Sequence, residues 1–146
     1  MIAERLKQAI AAFLAEEAET VPILDGVAVS ISGKADDATF PLIVIQDTGS
    51  DVYEQDGVIM RGVDTVTLNV ELHSVPTASA DAGTDFDDHD ELGEAVYNAL
   101  GSAACFSFIS TEGVGLFDFR VSAGTMETDP PRRKTVYEIV AIACPT

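Results

Sequence analysis

Basic residues are scarce in this sequence: 8 Lys and Arg stand against 25 Asp and Glu, a formal net charge of -17. A surface of that sign repels phosphate and speaks against a protein that holds nucleic acid through its backbone. It speaks equally against docking on an anionic membrane face, and it permits a basic protein partner. Long hydrophobic runs are missing as well. None approaches the ~20 residues needed to span a bilayer. The start, MIAERLKQAI, is broken by charges where a secretory signal would carry an apolar core, so the expectation is a cytosolic protein. Cysteine is nearly absent. Cys105 and Cys144 both sit in apolar contexts, the setting of buried free thiols in a reducing compartment. A single disulfide between them stays open as the alternative, and two cysteines without paired histidines do not make a zinc site. Catalytic signatures are missing too. The chain has no GxSxG, no recognisable Cys-His spacing and no phosphate loop, and Gly113-Val114-Gly115 is two glycines and nothing more.

What is present is patterned hydrophobicity. The composition is 47% hydrophobic over 146 residues, ordinary for a globular protein and too high for disorder. That length suffices for one domain that buries roughly 70% of its unfolded surface. The clearest element is VDTVTLNVELHS, residues 63–74, where Val66, Leu68, Val70 and Leu72 alternate with polar residues. Period two predicts a strand with one face in the core, and Val and Thr suit a pleated surface. His73 falls on its polar face, on the same side as Glu71.

Other elements follow in order. Residues 2–17 place Ile2, Leu6, Ile10, Phe13 and Leu14 on one helical stripe, and Val21-Pro22 ends that helix. Residues 27–32 alternate weakly as a short strand, and LIVIQ at 42–46 reads as a strand buried on both faces. Residues 47–57 read as a polar, acidic loop, and 77–84 as a small-residue connection. A second helix carries Leu92, Val96, Ala99 and Leu100 and stops at Gly101. Residues 105–109 form a short apolar segment. Residues 114–121 read as a strand with Phe117, Phe119 and Val121 on one face, and 135–143 as a central last strand after a loop at 129–131. The expected fold is α+β: a mostly antiparallel sheet packed by two main helices, in one compact domain over residues 1–146. Its expected core is Leu68, Val70, Leu72, Ile43, Ile45, Val140 and Ile142, with the first helix over it.

Three groups of residues bear on chemistry. Asp85, Asp87, Asp88, Asp90 and Glu91 surround His89 and offer oxygen and nitrogen groups to a divalent ion. The competing reading is stronger: carboxylates complement the start of a helix, with Asp88 and Glu91 spaced as a capping box. No metal or cofactor is expected. His73 and His89 are the acid-base candidates, and a strand-surface position accounts for His73. Arg132, Arg133 and Lys134 form the only basic cluster, read as a solvated lip before the last strand or as half of a contact with an acidic neighbour.

The chain resembles the tail terminator, or tail completion, proteins of long-tailed phages. The likeness is carried by IAERLKQAIAAFL, by VTLNVELHS followed by a small-residue loop and ELGEAVYNALGS, and by the closing FDFRVSAGTMETDPPRRKTVYEIVAIAC. It covers most of the chain as a pattern of elements and not as a motif. Residues 47–57 and the acidic run before the second helix have no clear place in it. The resemblance implies a non-enzymatic virion protein, assembled in the host cytoplasm. It would form a homo-oligomeric ring of six copies at the head-proximal end of the tail tube. Its partners would be further copies of itself, the tube protein and a head-tail connector or neck protein, with DNA passing through the lumen unbound and no membrane involved. On that reading Arg132, Arg133, Lys134, Asp85, Asp87 and Asp88 become subunit or partner contacts. The alternatives are a head-tail connector or neck adaptor of another fold, a small acidic binding module, and a carboxylate-based metal-dependent enzyme.

Overall fold

The alternation around Leu68 becomes the centre of a curled sheet in a computed structural model that describes residues 2–31, 41–74, 82–124, 126–129 and 132–146. The strands are β1 (Ala28–Ser30), β2 (Leu42–Gln55), β3 (Val58–Ser74), β4 (Val114–Ser122), β5 (Met126–Asp129) and β6 (Arg132–Pro145). Their order is β1-β2-β3-β6-β4, with β5 also on β6. Among the described residues only β1 and β2 pair in parallel; every other pairing is antiparallel. Three helices pack on one face: α1 (Ile2–Glu17), α2 (Ala82–Leu100) and α3 (Ala103–Ser110). The fold is α+β, a single compact domain. Among the described residues no helix is long and apolar enough to cross a membrane.

Helix α1 spans the predicted residues, and Ile2, Leu6, Ile10, Phe13 and Leu14 are all buried. Its stripe meets Ile43, Ile45, Val66, Leu68, Val70 and Leu72 in one core cluster. The β6 contribution differs from expectation. Tyr137, Ile139, Ala141 and Ala143 face the helices, whereas Val140 and Ile142 are half-buried on the other face. Both faces of β6 are apolar, so periodicity could not choose between them. Leu42, Ile43, Val44 and Ile45 are buried on both faces, as their unbroken apolar run predicts.

Three further differences have local causes. Residues 103–110 form a helix, nucleated by Ser102, whose hydroxyl accepts from the Cys105 amide at 3.1 Å. In β4 the register shifts between Leu116 and Asp118, which turns Phe117 outward to 62% exposure while Phe119 and Val121 pack on the core. Helix α2 begins at Ala82, so Asp88 lies well inside it and is not its cap; Asp85 alone falls in its first turn. Gly93 brings this helix close to the sheet, because a Cβ there would stand 2.6 Å from the Tyr137 hydroxyl.

The largest difference is at residues 47–57, which are not a loop. Strands β2 and β3 continue past the core as a hairpin arm closed by Asp56-Gly57. Both turn residues have positive φ, 52° and 78°, the left-handed pair that a two-residue hairpin turn demands. Val52 faces Asp64 and Glu54 faces Ile59, so residues 60–63 bulge opposite Tyr53. The arm is exposed nearly throughout, and Val52, Val58, Ile59 and Met60 are among its bare side chains.

Candidate functional site

The described polar groups converge where the start of α2 crosses the ends of β3 and β6. His89 lies on the same helical stripe as Leu92 and Val96 and is therefore carried into the core with them. Its Nδ1 stands 2.6 Å from the Ser74 hydroxyl and its Nε2 2.8 Å from the Thr135 hydroxyl. Each hydroxyl can donate or accept, so a neutral ring donates to one and accepts from the other in either tautomer. Burial holds the His89 pKa below the ordinary histidine value. Asp90 opposes that shift, while Arg133 and His73 add to it.

On the opposite face His73 is buried, 4% exposed, and not a surface residue. Its Nε2 meets the Glu71 carboxylate at 3.1 Å. Its Nδ1 has no hydrogen-bond partner among the described residues. Alternation placed His73 beside Glu71 correctly; it could not show that this end of the second face is covered.

A Ser-His contact of 2.6 Å has the first element of a nucleophile-base pair. Here the far nitrogen is held by a threonine hydroxyl where an orienting carboxylate would stand. His89 is buried, 2% exposed. The arrangement pins α2 to β3 and β6. Both histidine nitrogens are engaged, so His89 has no lone pair free for a metal without breaking a hydrogen bond. No group of three or more metal-capable side chains occurs among the described residues. The side chains of Asp85, Asp87 and Asp88 lie outside the described residues. Calorimetric titration with magnesium, calcium, manganese and zinc is expected to show no tight site. Micromolar binding abolished by Asp88→Ala would reverse that expectation.

No protein-family model matches the chain, and none of the curated proteins matches it.

The basic cluster is not a loop lip. Arg132, Arg133 and Lys134 open strand β6, so the side chains of Arg133 and Lys134 point to opposite faces. Arg133 is paired in register with Ser74, is buried, and acts on His89 from the helix side. Lys134 pairs with His73. The side chain of Arg132 lies outside the described residues. Strand β5 runs alongside with Asp129 opposite Arg132 and Glu127 opposite Lys134.

The two cysteines are unpaired, Cys105 buried and Cys144 half-buried. Burial, with Glu17 adding to it, pushes the Cys105 thiol up to about 12, the behaviour of an inert core thiol.

Proposed function

We propose that this chain is a structural virion protein that caps the head-proximal end of a phage tail tube as a ring, stops tube growth and joins tail to head. What carries the reading is how the three resembling stretches pack. The N-terminal helix, the central strand with its following helix, and the closing strand pair belong to one helix-covered sheet. The charge supports it. DNA must slide through such a ring without sticking, and a lumen lined by part of a net -17 per subunit repels phosphate. The ring contains six copies and contacts the tube protein on one side and a connector or neck protein on the other.

Like-charged subunits must gather contacts that outweigh their repulsion. Assembly is therefore expected to strengthen with moderate salt, because screening acts on exposed charges beyond a Debye length of ~8 Å. Electron microscopy of tails assembled with and without the protein tests the function. Without it, tubes are expected to vary in length and fail to join heads. Tubes of normal, uniform length that still join heads would sink the terminator reading. Uniform tubes that fail to join heads would favour the neck-adaptor reading instead.

A further inference from the structure

We propose that the hairpin arm is a docking element for a basic protein surface on a different chain, with Val58, Ile59 and Met60 as its apolar contact and the carboxylates around them as its charged rim. The inference goes beyond the ring reading and stands with or without it.

The first observation is how bare the arm is. Strand β1 pairs with β2 only from Leu42 to Val44, and β6 pairs with β3 only as far as Asp64. Beyond those points, among the described residues, neither outer edge of the arm has a neighbouring strand, and both faces meet solvent. A two-stranded ribbon with no covered face is marginal in water, so a surface that covers it stabilises it. At the tip Val58 and Ile59 are 63% and 62% exposed, and clustered bare apolar side chains mark interaction sites. Glu54 pairs with Ile59 and Gln55 with Val58, so each face of the tip sets an apolar side chain beside a polar one.

The second observation is the charge. Exposed Asp47, Asp51, Glu54 and Asp56 stand on the arm against exposed Arg61. Four carboxylates in the fifteen residues 47–61 are denser than 25 in 146, so the arm is acidic beyond the average of its chain. An apolar centre with a carboxylate rim is complemented by an apolar patch with a basic rim. Nucleic acid and anionic membrane are repelled by the same carboxylates. A second copy is the wrong sign as well. Arg5 already donates to the Gly113 carbonyl, Lys7 pairs with Glu4 and Arg120 with Asp118, and Arg133 is buried. The chain is therefore poorly supplied with cations for the arm of a neighbour, and a foreign basic surface fits it better.

Fluorescence anisotropy of the full-length protein with two labelled synthetic peptides of equal length and charge tests this. One peptide alternates lysine with valine, the other lysine with serine. At physiological salt the lysine-valine peptide is expected to bind about tenfold more tightly. Val58→Ser with Ile59→Ser should abolish that preference and leave the melting temperature in place, since both side chains are exposed. Asp51→Asn with Glu54→Gln should weaken both peptides about fivefold, the size of two exposed ion pairs. Glu16→Gln with Glu19→Gln makes the same charge change near the end of α1 away from Ile2, which lies beside the root of the arm. That pair should shift binding by less than about twofold. Equal losses from the two carboxylate pairs would mean attraction to the overall charge alone and would overturn the proposal. So would a double serine variant that keeps its preference. A native mass by light scattering that falls in the double serine variant would assign the arm to a second copy and overturn it too. Tube length and head joining, which test the ring reading, are separate measurements.

Discussion

Leu72→Ala is expected to destabilise the fold by roughly 2–5 kcal/mol, the range for a buried leucine truncated without collapse of its surroundings. Leu72 is fully buried. It pairs with Ile43 on one side and Thr135 on the other, and its Cδ2 lies near Gly93 of α2. Three elements therefore line the hole that alanine would leave, and each is held by its own ladder or helix, so none can close it. Val70→Ala removes less volume and should cost somewhat less. Denaturant midpoints at unchanged slope give the comparison. A loss below about half a kcal/mol, the size of surface changes, would remove β3 from the centre of the core.

His89→Ala is the second large effect, expected at about 1–3 kcal/mol because the Ser74 and Thr135 hydroxyls lose the ring between them. Its pH signature is more specific. Burial lowers the His89 pKa in the folded state, so the unfolded chain takes up the proton first as pH falls. The stability tied to neutral His89 is therefore complete above the unfolded value of about 6.5 and is lost as pH falls from there through the folded pKa. Asp90 opposes the shift, and Arg133 and His73 reinforce it. Acid also relieves repulsion among carboxylates, so the informative quantity is the difference between wild type and variant. Between pH 7 and 5 wild type should lose more stability than His89→Ala. Parallel pH profiles would mean that the ring is not held neutral by its site.

Much of this architecture was legible because one face of each major element is apolar at the right period. Helix α1 and the central part of β3 came out at that level, and so did the unbroken run of β2. The arm did not. Its strands face water on both sides, so no hydrophobic alternation marks them, and acidic composition reads as loop. The signal that was available is Asp56-Gly57, the dipeptide of a tight hairpin turn. Helix α3 was hidden because CFSFI alternates like a strand, while Ser102 as its cap was the readable clue. At the polar site, His89 shares the stripe of Leu92 and Val96, a sign of burial that the acidic residues around it outweigh in the sequence, where it reads as an acid-base candidate. Its two hydroxyl partners come from strand ends fifteen and forty-six residues away, a juxtaposition only topology creates.

The outer edge of the sheet carries its own consequence. Strand β4 has β6 on one side and no further strand on the other among the described residues. An open edge invites other chains to add strands without limit. Here the register slips at Phe117, the pairing with β6 breaks at Ala123 and Gly124, and Asp118 and Arg120 form an ion pair at 2.9 Å. A foreign strand would find only a few residues in step before a bulge or a charged side chain interrupts it. Strand addition along the β4 edge is therefore cut short after a few residues, so that this edge is a poor template for fibres.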